Sequence, residues 1–494
     1  MTRFFIDQHG CAKNQVDGEL VISRLAAMGL VQTFDPSEAR IIIINSCGFI
    51  ESAKKESISA VVSAKQQYPD AKILLTGCLA ERYADTLSAS MPEADGIFGN
   101  GDLSQIDSIV KPLMAGKRPV LVPEQKGVCC GDRTMMLSYR GSAYVKITEG
   151  CSNHCSFCAI PVIRGELRSR KAQDIISEIQ VLVSNGVYEI NLIGQDLAAY
   201  GTGAGDDVFS TGRFSLPEID ADGVNRGTDT PSALSLLLGK ISGLKGDFIV
   251  RLLYMHPDHF NRDILPVMKK DPRLLPYFDI PFQSGDDALI RAMNRKGTAQ
   301  EYERLVKDIR TALPGASLRT TFLTGFPGET DESAANTRMF LETIQSDWSG
   351  CFPYSREEDT PAYSIKGRVT QKTAKERADR LEAIQAGITK KALEARCGKE
   401  YSVLIEEIVR GNDEGLAIGR SWFQAPEVDG SFVVRYDLDD SKACDAVKPG
   451  NVVRAAAESS SDVDIDSRFT GIVWSPSKHE SSLRFAPEEN SAEE

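Results

Sequence analysis

The chain has 494 residues, 41% hydrophobic and 26% charged, with a net charge of −13 at pH 7, the balance of a soluble globular protein of about three domains. It offers no membrane span: the most apolar run, Ile41 to Ile44, is far shorter than the roughly 20 residues a bilayer needs. An acid at Asp7 also precludes a signal-peptide core, so a cytoplasmic protein is expected.

Over the first hundred residues a strand–helix rhythm repeats. An apolar strand at Phe4–Ile6 leads to Cys11 and a helix over about 16–28, stopped by Gly29. A strand over 40–45 leads to Cys47 and a helix over 51–67. A third strand, 72–76, leads to Gly77, Cys78 and another helix. Such alternation predicts a parallel α/β sheet. Each cysteine stands just past the C-terminal end of its strand, and in a parallel sheet those ends share the edge where ligands bind. Cys11, Cys47 and Cys78 are therefore expected to meet in space; three buried structural cysteines are the alternative.

From Ser142 to about Ile344 the alternation continues, with strands near 143–148, 189–193, 248–253, 277–280 and 317–323. Helical patterns at 172–184, 233–241, 263–269, 287–294 and 298–312 lie between them. This predicts a partial (β/α) barrel. The stretch 201–230, rich in Gly, Asp and Thr, reads as an inserted surface loop. A charged helix over 371–395 ends at Cys397-Gly398. Short strands at 401–405, 416–419, 432–436 and 451–456 with Gly and Asp turns predict a small all-β barrel. The tail after Pro476 is polar and expected to be disordered. The expected division is thus 1–120, 138–396, 397–474 and a tail, 475–494.

Charge is uneven along the chain. From Gly398 to Glu494 there are 10 Lys and Arg against 20 Asp and Glu, a net −10 that leaves only −3 for everything before. Such a surface repels nucleic acid and attracts a basic protein; a solvated acidic face is the plainer alternative.

Eleven cysteines are too sparse, and odd in number, for a disulfide scaffold, which leaves metal ligands, catalytic thiols or small buried apolar residues. The sharpest local pattern is Cys151-Ser-Asn-His-Cys155-Ser-Phe-Cys158, after a strand and a Glu149-Gly150 turn. Three thiolates within eight residues suit one face of a cubic iron–sulfur cluster, which uses four cysteines when fully ligated. With no fourth cysteine nearby, one iron stays open to bind a ligand directly. Zinc fits less well, because the spacing is wrong and no second cysteine pair follows. His154 is expected to be a polar surface residue. Cys129, Cys130, Cys351, Cys397 and Cys444 read as structurally inert.

The CxxxCxxC pattern with an aromatic residue, Phe157, before the last cysteine is the signature of radical S-adenosylmethionine (SAM) enzymes. Gly10-Cys11-Ala-Lys-Asn14, Asn45-Ser-Cys47-Gly-Phe-Ile, Thr76-Gly77-Cys78, Gly194-Gln195-Asp196 and Gly325-Phe-Pro-Gly328-Glu-Thr330 resemble the methylthiotransferases. The likeness runs nearly to Val473. It implies two 4Fe–4S clusters: one on Cys11, Cys47 and Cys78 in an N-terminal domain, and one on Cys151, Cys155 and Cys158 in a radical SAM core where SAM binds. It also implies a C-terminal TRAM-like barrel that docks the substrate.

Within that family, Cys47-Gly-Phe-Ile-Glu-Ser-Ala-Lys54 and the segment Gly419 to Gly430 resemble the branch that adds a methylthio group to the β-carbon of an aspartate of small-subunit ribosomal protein twelve. The acidic C-terminal segment agrees, since a tRNA-binding barrel is expected to be basic. Such a reaction implies an electron donor and a sulfur donor as partners, and no membrane. The expected SAM contacts are Phe157, Gln195 and Arg319, with core packing and structural hydrogen bonds as their alternatives. Gly325 and Gly328 are expected to permit a tight turn. Arg164, Arg168 and Arg170 are either steering groups for an anionic substrate or surface arginines. Two departures stand out: Ser284 where the family usually has His, and the length of 203–230. The rival readings are a tRNA adenosine methylthiotransferase, a non-catalytic iron–sulfur protein that binds the ribosome, and an electron carrier. The last is disfavoured because each cysteine trio lacks a fourth thiolate.

Overall fold

Four successive isoleucines, Ile41–Ile44, are all buried, as a strand covered on both faces of a parallel sheet requires. They form the middle of a computed structural model that describes residues 1–494 except 221–222, 224, 229, 410–413, 477–482 and 488–494. The first sheet comprises β1 (Arg3–Gln8), β2 (Val31–Gln32), β3 (Ile41–Ser46), β4 (Lys72–Gly77), β5 (Gly96–Phe98) and β6 (Val120–Leu121). All its pairings are parallel, in the order β2-β1-β3-β4-β5-β6. Helices α1 (Ala12–Ala27), α2 (Glu51–Gln67), α3 (Cys78–Ser90) and α4 (Ile106–Met114) connect the strands. The periodic signal shows three of the six strands; β2, β5 and β6, at two or three residues each, are too short to carry one.

The central sheet takes its strands in chain order: β7 (Ser142–Lys146), β8 (Glu189–Ile193), β9 (Ile249–Leu252), β10 (Leu274–Asp279), β11 (Ser317–Thr324) and β12 (Trp348–Pro353), all parallel. Sequential parallel strands that do not close form a partial barrel. Around it run α5 (Ile160–Arg164), α6 (Ala172–Ser184), α7 (Ala233–Ser242), α8 (Ile264–Lys270), α9 (Asp287–Ala292), α10 (Ala299–Ala312), α11 (Asp331–Ile344) and α12 (Gln371–Glu394). The sequence pattern passes over α11 and β12, although a capping box at Thr330 and Ser333 marks the helix start.

The last unit is a closed barrel of β13 (Glu400–Val409), β14 (Gly415–Arg420), β15 (Phe432–Tyr436), β16 (Val452–Ser460) and β17 (Ile465–Trp474), with α13 (Ser441–Ala446). Periodicity misses β17 because most of its residues beyond Ser467 are at least partly exposed. The segment 421–430 between β14 and β15 packs against the central barrel. Arg251 donates to Trp422 O at 2.6 Å, Trp348 Nε1 to Phe423 O at 2.8 Å, and Tyr277 Oη to Asp429 Oδ2 at 2.6 Å.

Two expectations about loops need correction. Part of 201–230 is folded: Glu218–Ile219 and Asn225–Gly227 pair antiparallel, and Asn225 donates to Asp258 O and Phe260 O at 3.3 and 3.1 Å. Part of the tail is docked too. Leu483 is buried, and Arg484–Phe485 pair in parallel with Met135–Met136. The rest of the tail, 477–482 and 488–494, lies outside the described residues. Among the described residues, no helix is long and apolar enough to cross a membrane.

Candidate functional site

The N-terminal trio is assembled by strand ends. Cys11 caps α1 after β1, Cys47 follows β3, and Cys78 opens α3 after Gly77, whose φ is +89°. Asn14 ties the loops together, its Nδ2 donating to His9 O, Asn45 O and Ser46 O at 2.7, 3.1 and 3.2 Å. A Cβ on Gly10 would stand 3.1 Å from that of Cys47, so the first two loops touch. The three thiols feel one another's charge. Burial pushes the Cys78 thiol up to about 12. Cys11 is exposed at the surface; the packing around its thiol acts in the same direction, but Lys13 and Arg164 with nearby backbone N–H groups outweigh it and lower the thiol.

The second trio lies on the loop after β7. Gly150 has φ +71°, and a Cβ there would meet Glu166 O at 2.2 Å and Gly165 O at 2.5 Å, so this turn needs glycine. Cys151 N donates to Gly165 O, and Cys158 N to Cys155 O, each at 3.0 Å. Burial raises all three thiols, Cys158 to about 12; neighbouring thiols add to it at Cys151 and Cys158, while at Cys155 Arg295 opposes it and Asp258 and Asp196 add to it. His256 Nε2 stands 3.6 Å from Cys155 Sγ; burial foremost, then Arg295, lowers its pKa to about 3 and keeps it neutral. Asp196 organises the neighbourhood, accepting from His259 at 2.7 Å, Asn153 at 3.0 Å and His256 N at 3.0 Å.

Each donor set consists of thiols alone, the donor type that iron–sulfur clusters use. Among the described residues, no three His, Cys, Asp or Glu side chains converge to hold one ion, whereas in a cubic cluster each thiolate binds a different iron. Thiols raised by burial are deprotonated by the metal they bind.

A buried charge lattice joins the two trios. Lys146 binds Asp17 at 2.5 Å and Glu149 at 2.6 Å; Arg164 binds the same carboxylates at 2.9 and 2.8 Å. Burial opposes the charge on Glu149, but Arg164 and Lys146 hold its carboxyl below the usual range. Arg164 also donates to Cys78 Sγ at 3.3 Å. It is neither a surface arginine nor a free steering group, and sequence reasoning missed it because its partners lie on three other elements. Arg170 is likewise buried, donating to Lys146 O at 2.9 Å. Arg168 is half-buried and holds backbone carbonyls of Gly127 and Glu166 at 2.6 and 2.8 Å.

The three expected SAM contacts fare differently. Gln195, just past β8, has a buried Oε1 without a partner, an open acceptor at the strand-end edge. Phe157 is half-buried against the cluster of Leu289, Phe326 and Tyr354. Arg319 pairs with Asp429 of the 421–430 segment, a contact that ties the C-terminal barrel to the core. Ser284 is fully buried, 3.1 Å from Thr337 Oγ1, and accepts from Asp286 N at 3.1 Å; its role here is a local turn. Gly325 and Gly328 both have positive φ, +74° and +89°. His154, with φ +49°, is solvent-facing.

A sequential parallel partial barrel with an open three-cysteine loop at its strand ends is the architecture of a radical SAM enzyme. The radical SAM superfamily matches residues 145–341, a family described as uncharacterized protein family UPF0004 matches 3–99, and the TRAM domain matches 397–469. Ribosomal protein uS12 methylthiotransferase RimO of Treponema denticola is 50% identical over 93% of this chain and 99% of its own. The proteins of that name from Heliobacterium modesticaldum and Carboxydothermus hydrogenoformans are 36% and 34% identical, over 87% and 88% of this chain and 88% and 93% of theirs. The chain belongs to the RimO family of methylthiotransferases, whose radical SAM core implies a 4Fe–4S cluster and SAM.

Proposed function

We propose that this protein adds a methylthio group to the β-carbon of an aspartate of small-subunit ribosomal protein twelve, in the cytoplasm, with an electron donor and a sulfur donor as partners. Cys151, Cys155 and Cys158 hold the cluster at which SAM binds, and Cys11, Cys47 and Cys78 hold a second cluster. The three parts are 1–120, 138–396 and 397–474. The observation that carries the reading is the pair of thiol trios, one at each domain's strand ends, joined by the Asp17–Lys146–Glu149–Arg164 lattice.

When bound, the cluster and SAM supply radical chemistry able to remove hydrogen from an unactivated C–H bond, which no protein acid or base does usefully. The chain's own residues do the rest. Gln195 offers its unpartnered Oε1 to a donor on SAM. Phe157 offers the aromatic surface beside Cys158. The Arg164 and Lys146 cations balance carboxylates and hold the two domains in register, which fixes the spacing between the trios. The acidic last fifth of the chain suits a basic ribosomal protein and disfavours tRNA.

The test is anaerobic reconstitution followed by incubation of the reduced protein with SAM, sulfide and a peptide from the aspartate loop of the ribosomal protein. A gain of about 46 Da, one methylthio group in place of hydrogen, is the expected result. SAM cleavage without any modified peptide or intact ribosomal protein would overturn the substrate; no SAM cleavage by iron-loaded protein would overturn the chemistry.

A further inference from the structure

Lys13 stands in the first turn of α1, two residues beyond Cys11, and is buried. Its ammonium nitrogen lies 3.3 Å from the centroid of the Tyr254 ring. Among the described residues, no carboxylate lies within ion-pairing distance of it; Asp279 and Glu149 act on it only from farther away. The largest opposite charge acting on it is the Cys11 thiol; a buried ammonium without a carboxylate partner is costly, and an aromatic face recovers only part of that cost. Lys13 differs in this from Lys146 and Arg164, which each hold two carboxylates in the same interdomain space.

Tyr254 is itself held under strain. Its φ is +67°, a left-handed value unusual for an aromatic residue. Two hydrogen bonds keep it there, Tyr254 N to Asp279 Oδ2 at 3.1 Å and Leu197 N to Tyr254 O at 2.9 Å. Such strain gathers where function requires a geometry. Two residues on, His256 approaches Cys155 Sγ at 3.6 Å. The Lys13–Tyr254 contact therefore spans from one residue neighbourhood beside Cys11 to another beside Cys155. The charge of Lys13 is felt at Cys11 and at Cys158 alike.

We propose that Lys13, seated on Tyr254, is an anion subsite that takes the side-chain carboxylate of the target aspartate and so holds its β-carbon between the two cysteine trios. This rests on the substrate reading above. The carboxylate is one bond from the reacting carbon, so fixing it fixes the C–H bond. A charged partner for a buried cation also selects aspartate over asparagine.

The test uses the reconstituted full-length enzyme as wild type, Lys13→Met and Lys13→Arg. Fluorescence anisotropy measures binding of labelled target peptides carrying Asp or Asn at the modified position, alongside SAM affinity and iron content. The wild type should favour the Asp peptide by about tenfold or more. Lys13→Met should bind both peptides alike, with iron and SAM affinity retained, and Lys13→Arg should recover part of the preference. Undiminished discrimination by Lys13→Met overturns the proposal. So does a loss of SAM affinity, which would make the carboxylate that of SAM, or a loss of iron, which would make Lys13 a counter-ion of the cluster. Wild type that makes methylthiolated peptide yet shows no Asp preference overturns this inference alone; wild type that neither binds nor modifies either peptide overturns the substrate reading with it.

Discussion

At Gly150 a single methyl group decides whether the second cysteine loop can close. Its φ is +71° and the carbonyls of Gly165 and Glu166 crowd the space a Cβ needs. Backbone cannot yield as a side-chain tip can, so Gly150→Ala should displace Cys151 and lower reconstituted iron by about half, one cluster of two. Iron analysis against a Cys11→Ala/Cys47→Ala/Cys78→Ala protein shows whether the two losses add. Arg164 is the other decisive residue. Replacing it with Leu leaves Asp17 and Glu149 sharing Lys146 alone and removes the donor to Cys78 Sγ. Breaking a buried pair costs about 3–5 kcal/mol, so Arg164→Leu should lower the denaturation midpoint strongly. If its midpoint equals that of wild type, the lattice does not join the domains. The glycine and Cys151, Cys155 and Cys158 are legible from local spacing. Arg164 is not, because nothing near it in sequence distinguishes it from Arg168.

The same contrast holds for whole elements. Fully buried strands such as β3 and β8 announce themselves by apolar content, while the longer but partly exposed β12 and β17 do not, and the two-residue strands exist only because a neighbour supplies hydrogen bonds. The tail is the plainest case. Its polar composition reads as disorder, yet Arg484 N donates to Thr134 O at 3.1 Å and Ala486 N to Met136 O at 2.9 Å, with Leu483 buried beside them. Deleting residues after Pro476 should cost about 1–3 kcal/mol, the worth of one buried leucine side chain. Hydrogen exchange should then quicken around Thr134–Met136. Unchanged exchange there would mean that the tail does not dock.

One apolar cluster runs through all three units of the molecule, and a few buried ionic ties cross the same boundaries. Glu189, the first residue of β8, accepts from Arg420 of the C-terminal barrel at 3.0 and 2.7 Å and from Arg251 at 2.9 Å. Burial opposes its charge, but Arg420 and Arg251 hold its carboxyl well below the usual range. A depressed carboxylate stabilises the fold fully above its unfolded pKa, about 4.3, and that contribution is lost as pH falls through the lower folded value. Melting curves of wild type should therefore shift down steeply below about pH 4. Glu189→Gln should melt lower at neutral pH and respond less to acid, and an equally steep acid response would exclude Glu189 as the source. Rising salt should weaken binding of the basic ribosomal protein, because surface charge is screened over about 8–10 Å.

The class of fold and the Cys151, Cys155 and Cys158 loop were decided by the sequence itself, since strand periodicity, glycine turns and that close spacing act over a few residues and need no distant partner, whereas Cys11, Cys47 and Cys78 meet only once β1, β3 and β4 pair. What only the tertiary structure decided is which charges meet. Arg319 finds Asp429, Arg164 finds Cys78, and Lys13 finds the ring of Tyr254, each across a boundary between units. Those pairings depend on how three separately formed sheets pack, and burial then turns ordinary polar side chains into fixed charges whose partners no local pattern records.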